Sequence, residues 1–289
     1  MPAGLQRGLI AVLAVAAGLA VVALVRTARR ERSTVPVLVL LGTLLCVLYE
    51  PVGDRMVLAY YPERGQVTWV TLFGRGIPLF IGLMYLAYIG PFVLVFEHLR
   101  RRGFTPRSWW ALWAGSVTAI VVVETAVLRI GAAWVYYGPQ RTVVGRLPLW
   151  TPFTYVSFLF AIAAGVAGLA DRLGAGTRWL IVPAVPVLLA AAHLATAAPA
   201  AAALYRSGEA GVVLAGSLAS VALAALFAYG LSLPFLSAGP TGMTPASSRM
   251  RVGGRCSSVM RTPRSARASS MALVRAAGAP IMPPSPTPR

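Results

Sequence analysis

Long apolar segments, a small charged fraction and basic residues confined to the connections together predict an all-α, polytopic membrane bundle of about seven transmembrane helices. Of 289 residues, 57% are hydrophobic and 12% charged, with a mean hydropathy of +0.72. That is more apolar surface than one soluble core can hide, so a membrane is the expected solvent. A net charge of +18 would point to nucleic acid in a soluble protein. Here all 26 basic residues are Arg, and they sit mainly in short runs between apolar segments, a topological pattern that implies no nucleic-acid partner. The absence of Lys, with abundant Ala, Val, Gly and Arg, is the composition of a GC-rich genome and suggests an actinobacterial inner (plasma) membrane.

Segments at about 8–26, 35–50, 77–97, 109–136, 150–170, 179–198 and 211–236 approach or exceed the roughly 20 residues that cross a hydrocarbon core of about 30 Å. The first is followed at once by Arg26, Arg29, Arg30 and Arg32, with no small-residue cleavage site, and reads as an uncleaved anchor. Connections after segments one, three and five carry four, four and two Arg; those after two, four and six carry three, two and one. The positive-inside rule then places the N-terminus outside and the C-terminus in the cytoplasm. Trp109 and Trp110 at the inner boundary, and Trp69, Trp134, Tyr136, Tyr137 and Trp150 near the outer one, fit aromatic belts. Residues 1–238 thus form the transmembrane domain. Residues 239–289, rich in Pro, Ser, Ala and Arg and free of acids, read as a disordered basic tail that can touch anionic lipid.

Glu124 lies within the otherwise apolar run 113–131, and a carboxylate at that depth costs several kcal/mol unless something uses it. Depth is measured from the inner end of each helix at 1.5 Å per residue. Glu124 then stands about 22 Å in, Glu50 about 21 Å and His193 about 21 Å. Three ionisable side chains on three helices fall in one layer. Tyr85, Tyr88 and Tyr155 approach that layer from the outer boundary, at about 12, 16 and 8 Å.

Pro51 after Glu50 frees the carbonyl of Val47, and Asp54 follows one turn later on the same face, so this helix end is polar and broken. Glu63, Arg64 and Arg75 in the following loop stand ready to cap a cavity. Each acid also has a structural reading. Glu124 is either a hydrogen-bond partner between helices or a working carboxyl. Glu50 and Asp54 are either working groups or a solvated helix end, His193 among alanines also reads as a packing residue, and the tyrosines also read as helix contacts. The Glu97-His98 pair before Arg100, Arg101 and Arg102 reads as a helix end with a favourable charge pattern.

Cys46 and Cys256 lie in an apolar helix and a polar tail, so neither a disulfide nor a metal site is expected. The chain lacks a Gly-rich phosphate loop, a CxxC pair, HExxH and GxSxG, and His98 and His193 lie at different depths. No cofactor is therefore expected, haem included.

Glu50-Pro51, the Gly-Ile-Pro lead into segment three, and Glu124 followed by Gly131 and Trp-Val-Tyr-Tyr-Gly-Pro-Gln together resemble the avermectin-type spirocyclase family of actinobacterial membrane proteins over about residues 35–155. Glu50 stands where that pattern has an aspartate, and the asparagine-rich stretch after it is missing. The layout is more distantly similar to integral membrane terpene cyclases and to carotenoid-modifying cyclases and hydratases. These resemblances imply acid-base chemistry on a lipophilic polyketide or isoprenoid, as in secondary metabolism. In the residues' own terms, Glu124 is the candidate general acid, Glu50 and Asp54 are candidate catalytic partners, and Tyr85, Tyr88, Trp134, Tyr136, Tyr137, Tyr155 and His193 are candidates to line the substrate. A proton-coupled carrier or sensor, or a non-catalytic assembly protein in contact only with membrane lipids, remains open from sequence.

Overall fold

The computed structural model describes residues 3–62, 65–131, 133–141, 143–206 and 208–237. Glu63, Arg64 and the tail expected to be disordered lie outside them.

Among the described residues, seven helical spans are long and apolar enough to cross a bilayer, which makes this a multi-pass membrane protein. They are α1 (Ala3–Glu31), the composite span α2 (Val35–Leu45) and α3 (Glu50–Val57), α4 (Leu79–Arg102), α5 (Pro106–Gly131), α6 (Thr151–Arg172), α7 (Ile181–Arg206) and α8 (Ala210–Ser237). Only helices satisfy every backbone group within their own segment in hydrocarbon, so long apolar runs have little choice of structure.

The second span departs from the expected break at Glu50. Cys46–Tyr49 tighten into a 3₁₀ turn, and helix resumes at Glu50 and runs to Val57. The N–H of Glu50 itself donates to the carbonyl of Val47 that Pro51 cannot serve, so the proline opens a new helix instead of ending the span. Leu58 then adopts a left-handed conformation (φ 52°) and turns the chain into the cap.

The cap closes the end of the bundle where α3 and α5 finish and α4 and α6 begin. It consists of three two-stranded antiparallel pairings. β1 (Ala59–Tyr60) pairs with β4 (Val135–Tyr136), β2 (Thr68–Leu72) with β3 (Arg75–Pro78), and β5 (Val143–Val144) with β6 (Leu147–Pro148). The fourth apolar segment therefore ends as helix at Gly131, and Trp134–Tyr136, expected to be helical, enter this cap. Gln140 ties it down, with Nε2 donating to the Val57 carbonyl (3.0 Å) and Oε1 accepting from Trp150 Nε1 (3.3 Å).

At the opposite, arginine-rich end, ion pairs clasp three helices. Arg101 joins Glu31 of α1 (2.6 Å) to Glu97, and Arg100 joins Glu97 (2.6 Å) to Asp171 of α6 (2.9 Å). Just inside lies an aromatic plug. Trp109 packs against Phe160 (4.9 Å between centroids) and Phe104 (5.0 Å), while Phe96 meets Phe235 at 5.4 Å. Three residues assigned to belts are core residues instead, because Trp109, Trp134 and Trp150 are all buried. All three lie near helix ends, but the face they occupy points into the bundle.

Small residues and prolines set the close contacts between helices. A Cβ at Gly42 of α2 would come within 2.7 Å of the Val182 carbonyl of α7, the carbonyl that Pro186 leaves without its helical donor. Farther along α7, the N–H of Ala200 donates to Ser220 Oγ of α8 (3.0 Å).

A candidate active site in the capped half of the bundle

A cavity of about 390 Å³ lies between α4, α5 and α6, bounded also by α3, α7 and one turn of α1. Glu50, Asp54, Glu124 and His193 all line it, each from a buried position. The layer inferred from helix depth is thus one physical space. Tyr85, Tyr88, Trp134, Tyr136 and Tyr155 line it as well. Tyr137 does not: its side chain is half-exposed on the cap and packs on Tyr60 (5.9 Å), because alternation along β4 turns Tyr136 inward and its neighbour outward.

Two separate carboxyl centres share this cavity. At the first, Glu50 accepts from two phenols, Tyr85 to Oε1 at 2.6 Å and Tyr61 to Oε2 at 2.9 Å. Both oxygens of a buried carboxyl are thereby satisfied, one from α4 and one from the cap. Asp54, one turn along α3, faces Arg75 Nη2 at 3.5 Å, and the same nitrogen donates to the Ala59 carbonyl at 3.1 Å. Arg75 is carried by the β2–β3 hairpin and is not simply a surface residue. It supplies the counter-charge that a buried aspartate needs.

At the second centre, Tyr136 donates to Glu124 Oε1 (3.3 Å) and shares a hydrogen bond with Tyr155 (3.1 Å). Burial, and then the neighbouring carboxyls, push the phenols of Tyr61 and Tyr136 well above their usual range, so both hydroxyls keep their protons and act as donors. Glu124 Oε2 is buried with no partner among the described residues.

His193 completes the wall. Its Nδ1 lies 3.1 Å from the Tyr49 hydroxyl, and its ring meets Tyr155 edge-on at 5.4 Å and Phe158 at 6.1 Å. Nε2 is buried and unpartnered whichever tautomer Tyr49 selects. Buried polar atoms without hydrogen-bond partners are rare in proteins, and three of them, Asp54 Oδ2, Glu124 Oε2 and His193 Nε2, belong to residues that line this one cavity.

Tyr49 and Tyr61 are site residues that the reading of the sequence passed over. Tyr49 adjoins Glu50, but its approach to His193 depends on the 3₁₀ turn at 46–49. Tyr61 lies in a connection whose fold over the bundle has no periodic signature. Among the described residues, no cluster of His, Cys, Asp and Glu has the geometry to hold a metal ion. Comparisons with family models, with curated proteins and with solved structures find no match, so geometry alone carries the functional argument.

Proposed function

We propose that this protein is a membrane enzyme that performs acid-base cyclisation, hydration or isomerisation of a lipophilic substrate of polyketide or isoprenoid type. The observation that carries the reading is Glu124 in the wall of a largely apolar cavity, with Oε1 held by Tyr136 and Oε2 without a hydrogen-bond partner among the described residues. A carboxyl fixed through one oxygen and unsatisfied at the other is suited to give a proton to an epoxide, alkene or carbonyl of a bound molecule once its side chain turns to meet it. The Glu50–Asp54 centre takes up the proton released elsewhere on the substrate, with Tyr61 and Tyr85 steadying the charge. The ring faces of Tyr88, Trp134 and Tyr155 shield positive charge that develops between the two centres.

Transport fits the architecture less well. A carrier needs a path between both ends, and beyond the cavity the bundle holds a packed cluster of buried Phe96, Trp109 and Phe160 beside a separate hollow of about 360 Å³ at the arginine-rich end. The arginine distribution supports an orientation with the N-terminus outside and the end of α8 in the cytoplasm of a plasma membrane. The capped half and its acids then face the exterior leaflet. The motif resemblance to the avermectin-type spirocyclases agrees in kind with this chemistry.

The test compares lipid extracts of a deletion strain complemented with wild type or with Glu124→Gln at equal abundance. Cyclisation and isomerisation conserve mass and hydration adds one water. The expected difference is therefore a lipophilic metabolite converted to an isomer or a hydrate by wild type only. Equal product from Glu124→Gln would remove the acid role.

A further inference from the structure

The cavity has a direction. Its polar groups are gathered at the capped end. Away from them it continues along α4 past Met84, Ala87 and Tyr88 to Phe92, and along α5 past Val123 and Ile120 to Ser116. Glu124 to Ser116 is eight residues and Ile81 to Phe92 eleven, so at the helical rise the hollow is about 12–16 Å long. Beyond Ile81 and Glu124 the walls of this stretch are apolar apart from Tyr85, Tyr88 and Ser116; the Tyr85 hydroxyl is given to Glu50 at 2.6 Å, and the Ser116 hydroxyl is turned back onto the carbonyl of Leu112 at 2.7 Å.

The hollow also has a mouth. Val123 lines it yet is 58% exposed on the outside of the bundle, and Ala119, one turn away, is likewise both lining and exposed. Leu13 of α1 lines the facing edge. The opening between α1 and α5 exists because α5 rests mainly on α6 and only sparingly on α1. Ala119 stands about 18 Å from the capped end of α5 and about 20 Å from the other, so the mouth is at mid-span. At that depth the surroundings are acyl chains, from which no strongly polar molecule arrives.

We propose that the cavity is a chain-shaped binding site that admits an elongated, single-chain lipid from the hydrocarbon core between α1 and α5. The chain lies along α4 and α5 with its functionalised end at Glu50 and Glu124. This rests on the enzyme reading above and specifies its substrate class and orientation. A rigid fused-ring or two-chain lipid does not match a hollow that is long, apolar and closed at one end by charge.

The test uses the full chain in phosphatidylcholine nanodiscs and a homologous series of primary alcohols bearing a diazirine at the terminal carbon. After photolysis, labelled peptides are mapped by mass spectrometry. Labelling is expected to concentrate around Phe92 and Ser116 with an optimum chain length. It should fall by at least about tenfold in Ala119→Trp, a loss of about 1.4 kcal/mol in occupancy. Both positions compared are on the protein's exterior, so Val187→Trp on α7 serves as the bulk control and leaves labelling unchanged. Labelling of Leu218 and Leu226 on the exposed face of α8 as strong as that around Phe92, or no effect of Ala119→Trp, overturns the proposal. Glu124→Gln separates the two ideas, because it removes turnover if the acid reading holds and leaves the labelling pattern in place.

Discussion

Tyr85 donates its hydroxyl to Oε1 of Glu50 across 2.6 Å, from the second turn of α4 to the first residue of α3. With Tyr61 on the other oxygen, a carboxyl in the apolar interior has each lone-pair side occupied. Glu50 is therefore a fixed group, whereas Glu124 has one oxygen held and one free. That asymmetry divides the labour between the two centres and leads to distinct expectations for each.

Removing the donor to Glu50 should be felt as stability. Tyr85→Phe keeps the ring and deletes the hydroxyl, at an expected cost of about 1–2 kcal/mol for a hydrogen bond between membrane helices. Thermal unfolding in nanodiscs should show a lowered midpoint. Tyr88 contributes through its ring, which packs on Tyr85 at 5.8 Å and Phe158 at 6.3 Å, so Tyr88→Phe should leave that midpoint unchanged.

Removing the proton of Glu124 should be felt as activity. Glu124→Gln keeps shape and a donor to the cavity, so abundance in the membrane stays normal while turnover falls by about 10²–10⁴. Quantitative immunoblotting beside the metabolite assay reads both. A fall in abundance with unchanged specific turnover would return Glu124 to a purely structural role.

The contact between α2 and α7 should tolerate nothing larger than Gly42. A Cβ there meets the Val182 carbonyl at 2.7 Å and Val185 at 2.8 Å, both parts of a packed helix. Gly42→Val should therefore reduce folded yield sharply in size-exclusion profiles. Gly18→Ala on α1, where a Cβ meets nothing within 4 Å, should match wild type or improve on it slightly.

Trp109 should behave as core and not as an interface anchor. It is fully buried among Phe96, Phe104, Phe160 and Phe235, and Trp109→Ala is expected to cost about 3–5 kcal/mol. Trp179, 59% exposed at the same end, offers the contrast: Trp179→Ala should shift the unfolding midpoint little.

The spans themselves, and the depth of Glu50, Glu124 and His193 within them, were legible in the chain. Hydrocarbon forces long apolar runs into helices, and a helix converts residue count into distance at a constant rate. What could not be read is the rotation of each helix about its axis. These helices are apolar nearly all round, so no polar face announces which side meets a neighbour and which meets lipid. Nothing in the segments therefore says that Trp109 and Trp134 face the core and not the lipid, or that strand alternation parts Tyr137 from Tyr136. Tertiary packing alone decided that the 3₁₀ turn at 46–49 brings Tyr49 to His193, that the cap lowers Tyr61 and Arg75 onto Glu50 and Asp54, and that α5 rests on α6 more than on α1. Those outcomes depend on how side chains of different helices fill space between them, a property that no single segment contains.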